Sequence, residues 1–210
     1  MAIQENASLL HWNYFLALES DVERLAGFVE FTSNNFCTYS IEMVHLFLAA
    51  ASEVDVIAKQ LCFRMDEAAN AVNIEQYREV LRRYLPEMES SIVTIPRYGL
   101  DLRPWSNWRD DETPNWWRAH NKVKHQRGEH FGLANLENVL NAMAGLFLLI
   151  LHYYRSVLDS RRIEPPPNLF TPPVDLASVC MVMGGGMALI FEEKTLQDEP
   201  FNNSDPEGGI

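Results

Sequence analysis

A run of ten residues without a charge or a hydrogen-bonding side chain, Ala142 to Leu151, sets the strongest limit on what this chain can fold into. It covers about half of the roughly 20 residues a helix needs to cross a bilayer, and it ends at His152. Being apolar on nearly every side, it is equally unsuited to a water-facing surface. The place left for it is the centre of a helical bundle, as the middle of a long last helix from about Leu133 to Ser160. At 210 residues and 47% hydrophobic, the chain can build the surrounding core as one ordinary domain, without disulfide or metal staples.

The wrapping elements follow from apolar spacing. Leu9, Leu10, Tyr14, Leu18, Val22, Leu25 and Val29 predict an amphipathic helix from about Ser8 to Phe31. Ser40 is a good N-cap for a second helix reaching about Phe63, with Met43, Val44, Phe47, Leu48, Ala51, Val54, Ile57, Ala58 and Leu61 on a broad inner face. Asn73 and Gln76 form a capping-box-like pair opening a third helix that runs to Tyr84, before Pro86. From Glu87 to Thr113 the periodicity breaks into a long connection holding a short β-prone run, Ile92 to Ile95, and the Trp105 and Trp108 pair. Thr113 as N-cap and Pro114 as first helical residue, behind Asp110, Asp111 and Glu112, predict a fourth helix that Gly128 closes.

Prolines at 165–167, 172 and 173 end the helical region. Beyond them, Ala177 to Met183 and Met187 to Glu192 flank Gly184 to Gly186, a hairpin that should dock on the bundle or on a partner. The expected fold is all-α, a bundle of four to five helices with a long inter-helix loop and a small C-terminal β-hairpin. Its expected divisions are the bundle at 1–165, a Pro-rich connection and hairpin at 166–196, and a disordered acidic tail at 197–210.

Cys37, Cys62 and Cys180 lie far apart and read as small buried hydrophobes in a reducing compartment. Residues 1–10 carry Glu5 and no basic stretch, so a cytoplasmic location is expected and a membrane partner is not. A net charge of -12 disfavours nonspecific attraction to nucleic acid. Any such contact must be local, and one basic island exists: Arg118, Lys122, Lys124 and Arg127, with His120, His125 and His130 beside them.

On a helix, Arg118, Asn121 or Lys122, and His125 fall along one face. That stripe combines fixed positive charge, a hydrogen-bonding group and an imidazole. Metal-independent cleavage of RNA needs these groups, to move the 2′-hydroxyl and leaving-group protons and to stabilise the phosphorane. The candidate catalytic residues are therefore Arg118, His125 and Asn121. Lys122, Lys124, Arg127, His120 and Trp117 are the candidate substrate-binding set, Trp117 as a stacking platform.

The segment Pro114-Asn-Trp-Trp-Arg-Ala-His-Asn-Lys-Val-Lys-His-Gln-Arg127 resembles the Arg-x4-6-His signature of HEPN domains, in which the motif helix precedes a final long helix. The resemblance implies a HEPN-like helical bundle, frequent homodimers with paired motifs at the interface and, in many members, metal-independent ribonuclease activity in defence or toxin-antitoxin systems. Other members only bind nucleotide or protein. Catalytic members usually carry a polar residue after the arginine; this chain has Ala119.

Other readings compete with these. Asp55 has Lys59 four residues on and suits a structural ion pair, while Glu53 could be structural or could serve the stripe. Trp116 and Trp117 suit a core at least as well as a binding surface. His11, His45 and His152 fit helix-face or core positions. The histidines lack metal-ligand spacing, no cofactor is expected, and Gly184 to Gly186 read as a turn, without the Lys-Ser/Thr pair of a phosphate loop. Two functions follow: a homodimeric endoribonuclease acting on RNA, or a noncatalytic helical module of a bacterial operon that binds nucleotide, or a protein partner through the hairpin.

Overall fold

The computed structural model describes residues 9–192; the acidic tail at 197–210 lies outside the described residues. The fold is mostly helical, with small antiparallel sheets. Among the described residues, five α-helices occur in the order α1 (Leu10–Leu25), α2 (Ile41–Met65), α3 (Ile74–Tyr84), α4 (Asn115–His130) and α5 (Leu136–Val157). The strands are β1 (Val93–Ile95) and β2 (Leu100–Leu102) between α3 and α4, then β3 (Arg162–Ile163), β4 (Ala177–Met181) and β5 (Met187–Phe191) after α5.

Helix α5 is the central element, with every residue from Ala142 to His152 buried. By length and composition it could cross a membrane, and 78% of its most apolar window is buried inside this protein. Asn135 caps it, Oδ1 accepting from the Asn138 amide at 3.0 Å, so it begins three residues later than its apolar pattern suggests. Helix α2 packs most extensively against it. Of the nine residues expected on the inner face of α2, all but Leu48 are buried. The Ser40 cap forms as expected, Oγ accepting from the Met43 amide at 3.1 Å, as does that of α3, where Asn73 Oδ1 accepts from Gln76 at 3.0 Å.

Helix α1 departs from expectation in length and in face. It ends at Leu25, where the amides of Ala26, Gly27 and Phe28 turn to carbonyls three residues back. Leu10 and Tyr14 are exposed, and the buried stripe runs through Trp12, Phe15, Leu18, Glu19, Val22 and Leu25. A carboxylate in the middle of that stripe breaks the apolar pattern. Glu19 Oε1 accepts from the amides of Leu169 and Phe170 at 2.9 and 3.1 Å, and Oε2 from that of Asn168 at 3.1 Å. The segment after α5 is thereby fastened along α1. Phe170 extends the same contact, packing on Phe15 and Phe147, whose own rings stack at 5.0 Å.

The long connection is more regular than the sequence suggests. β1 and β2 form a hairpin with Val93 opposite Leu102, turned through Pro96–Tyr98 and Gly99 at φ +60°. Thr94 and Thr171 exchange backbone hydrogen bonds at 2.9 and 3.1 Å, tying that hairpin to the post-α5 segment.

The C-terminal hairpin forms as expected and gains a third strand, in the order β3-β5-β4. Gly184 and Gly185 adopt φ +108° and +86°, a turn that L side chains enter only under strain. Leu169, Phe170, Leu176, Ala177, Leu189 and Phe191 join the bundle's own core, so 166–192 packs as part of it. Only Cys62 fits the expectation of buried cysteines: Cys37 is exposed on the loop before α2, and Cys180 is half-buried on the hairpin.

Candidate functional site

The start of α4 is anchored by indoles. Trp105 and Trp108 lie 4.4 Å apart, Trp116 meets Trp105 edge-on at 5.3 Å, and Trp117 follows at 5.6 Å from Trp116. Trp116 Nε1 donates to the Pro104 carbonyl at 2.8 Å. The cluster rests on Gly145 of α5, where a Cβ would come within 3.1 Å of Trp116 and 3.2 Å of Trp105. Both motif tryptophans are therefore core, and Trp117 is not available for stacking on a base.

His120 is also drawn inward, 5% exposed, between Phe47 at 5.9 Å and Trp117 at 5.4 Å. Burial, with Lys124 and His125 nearby, pushes its pKa down to about 4, against opposing effects of Asn121 and Asp55. It is a neutral core imidazole and leaves the substrate-binding set. Ala119 and Val123 share that inner face, so the position after the arginine is turned toward the core.

The outer face holds the rest of the set. Arg118, Asn121, Lys122, Lys124, His125 and Arg127 are all exposed. Asn115, Arg118, Lys122 and His125 fall within about a quarter turn of one another, and Asn121 borders them. The helix breaks at Gln126 (φ -139°, ψ 50°), one residue past the stripe, so Arg118 and His125 share an uninterrupted segment while Arg127 lies beyond it. Their Cα atoms are roughly 10 Å apart at the rise of an α-helix. Both side chains are long enough to approach one phosphate placed between them.

The helix start differs from expectation in its chemistry. Pro114 occupies the N-cap, with no side-chain cap. Thr113 turns to α3, its hydroxyl donating to Glu75 Oε1 at 3.1 Å, and Asp111 is held by Arg78 and Arg82. Glu112 reaches forward to Arg118, 3.5 Å from its guanidinium, which also donates to Asn115 Oδ1. Among the described residues, Lys122, Lys124, His125 and Arg127 are paired with no acid. Glu53 is engaged elsewhere, bonded to His11 at 2.6 Å and away from the stripe, and Asp55 accepts from the Tyr77 hydroxyl at 3.0 Å and pairs with Lys59 at 3.7 Å.

A cleft of about 320 Å³ opens at the Arg118 end of the stripe, where the first turns of α4 and α5 meet the segment after β2. Its polar lining is Asp101, Arg103, Ser106, Asn107, Asn115, Glu137, Asn138 and Asn141. Trp116 forms part of its wall. These residues come from four separate stretches of chain and form no motif, so sequence spacing could not have found them. Comparison with family models, with curated proteins and with solved structures finds no match for this chain.

Proposed function

We propose that this protein is a metal-independent endoribonuclease of the HEPN kind, with the outer face of α4 as its site. The observation that carries the reading is the exposed alignment of Arg118, Asn121, Lys122 and His125 on one unbroken stretch of helix, in the basic part of an acidic chain. His125 takes the 2′-hydroxyl proton as O2′ attacks phosphorus. Arg118 meets the charge that develops on the phosphorane, Asn121 orients the imidazole or a phosphate oxygen, and Lys122 holds the strand. The bond from phosphorus to O5′ breaks, a proton passes to the leaving oxygen, and the products are a 2′,3′-cyclic phosphate and a 5′-hydroxyl. In a two-fold homodimer, paired stripes would supply one imidazole as base and the other as acid. The setting this fits is a toxin or defence system in the cytoplasm.

Purified protein incubated with RNA in EDTA should give cyclic phosphate ends, and His125→Ala should abolish them. Absence of cleavage, together with absence of growth inhibition on expression, would sink the proposal.

One observation favours a second reading. Arg118 is already held by Glu112 and Asn115, as expected of a structural cation, and β4 is an uncharged strand paired on one side. A noncatalytic module would use that edge to take a strand from a partner protein. Partner capture lost on deleting the β4–β5 hairpin, and unchanged by Arg118→Ala with His125→Ala, would select this reading.

A further inference from the structure

We propose that the cleft beside Arg118 is a nucleobase subsite that selects guanine; this rests on the ribonuclease reading for its biological role, though not for its chemistry. The argument starts from which atoms the lining side chains have left to offer. Asn107 Oδ1 accepts from the Asn115 amide at 3.3 Å, and Asn115 Oδ1 accepts from Arg118. Their side-chain nitrogens are what these two present, and Arg103, which also lines the cleft, adds a guanidinium, so the side away from α5 supplies donors. Across it, Asn138 commits its Nδ2 to the Leu133 carbonyl at 2.9 Å, and Asn141 its Nδ2 to the Glu137 carbonyl at 2.9 Å. The Oδ1 atoms of both and the Glu137 carboxylate make the α5 side rich in acceptors, each amide keeping one N–H to donate, and Asp101 adds a carboxylate from β2.

A ligand that fits must carry acceptors along one edge and donors along the next. Guanine does so: O6 and N7 accept, while N1–H and the N2 amino group donate side by side and suit one carboxylate. Uracil has a single ring N–H between two carbonyls, and cytosine has no donor pair of this kind, so each would leave acceptors facing acceptors at the α5 side. Adenine offers one amino group beside a ring acceptor, which again faces a carboxylate.

The volume is at the lower end of ligand sites, suited to a base with part of its sugar. RNA-binding proteins commonly read unstacked bases through such hydrogen-bonding edges. Because Asn115 both lines the cleft and receives the Arg118 guanidinium, a nucleotide seated there brings its phosphate to that guanidinium. In a -12 protein the phosphate of such a nucleotide needs local positive charge, which Arg103 in the cleft wall and Arg118 beside it supply, and the neutral base needs none.

The test is calorimetric titration of the full-length protein with the 5′-monophosphates of guanosine, adenosine, cytidine and uridine, and with guanosine itself. Guanosine monophosphate should bind at least about tenfold tighter than the other three, the discrimination expected of one bidentate contact. Glu137→Gln and Asn141→Ala should erase that preference without lowering the melting temperature, and Arg118→Ala together with Arg103→Ala should reduce binding of the monophosphate to the level of guanosine. Equal binding of all four nucleotides, or a guanine preference that survives both cleft variants, overturns the proposal. Guanine-selective binding by a protein that cleaves no RNA retires the nuclease reading and leaves the subsite standing. Cleavage without any guanine preference in binding does the reverse.

Discussion

Replacing Glu19 by alanine should be among the most damaging single changes in this protein, although the residue lies far from the α4 stripe. Its carboxylate is 2% exposed and is the acceptor for three consecutive backbone amides, those of Asn168, Leu169 and Phe170. A buried donor left without a partner costs roughly 1–3 kcal/mol. Leu169 and Phe170 are themselves buried, so water cannot replace the lost acceptor at either without opening the segment. The two together, with a smaller contribution at Asn168, put Glu19→Ala at about 4 kcal/mol of destabilisation. Glu19→Gln keeps Oε1, and with it the two bonds to Leu169 and Phe170, but turns an NH2 toward the Asn168 amide. It should cost about 1–2 kcal/mol.

Urea unfolding followed by tryptophan fluorescence measures both variants. An alanine variant within about 1 kcal/mol of wild type, or a glutamine variant as unstable as the alanine one, would refute the account. The pH dependence supplies an independent check. Burial raises the Glu19 carboxyl above its ordinary value of 4.5, against the opposing pull of the three amides. The folded state therefore holds this proton more tightly than the unfolded state. Its contribution is fully present below pH 4.5 and declines as pH rises through the folded value. The stability advantage of wild type over Glu19→Gln should narrow across that interval.

His120 works in the opposite direction: its pKa is lowered to about 4, so the stability associated with it is present above the unfolded value of 6.5 and is lost as pH falls toward 4. His120→Phe, which suits the space between Phe47 and Trp117, should remove roughly 3 kcal/mol of that acid sensitivity, read as the difference between unfolding free energies at pH 7 and pH 4. Gly145→Ala should destabilise by about 1–3 kcal/mol, because overpacking against the Trp105 and Trp116 rings exceeds the roughly 1 kcal/mol gained in helix propensity; a more stable variant in thermal unfolding would show that the indoles can move aside. Arg118→Ala and His125→Ala, both at exposed positions, should change unfolding free energy by no more than about 0.5 kcal/mol while removing cleavage of RNA.

Where local rules act, the sequence was readable. Ser40 and Asn73 cap the helices they precede, the inner face of α2 follows its apolar spacing, and the glycine turn at 184–186 joins two strands. The errors arise where distant groups decide. A core-facing carboxylate satisfied by amides about 150 residues away cannot be recognised from spacing, and it displaced the predicted face of α1 toward Leu10 and Tyr14. The same limit applies on α4. Residues at one-residue offsets, such as Asn121 and His120, look equally polar in a sequence, yet the packing of Phe47 and the indole cluster takes one inside and leaves the other out. β3 was missed for a different reason: its two residues carry no periodicity, and pairing with β5 alone makes them a strand.

The passage of residues 165–170 along α1 bears on how the molecule can be cut. The Pro165 carbonyl accepts from the Trp12 indole at 2.9 Å, and Phe170 closes the aromatic stack on Phe15 and Phe147. A polypeptide stopped after α5 would keep every helix described above and still be unfinished, with a naked carboxylate and two bare rings, Trp12 and Phe15, along its first helix. Shortening for crystallisation or fusion therefore has to keep the chain through Glu192, whose amide donates to the Leu176 carbonyl at 3.0 Å and whose carbonyl accepts from Arg155 at 2.9 Å.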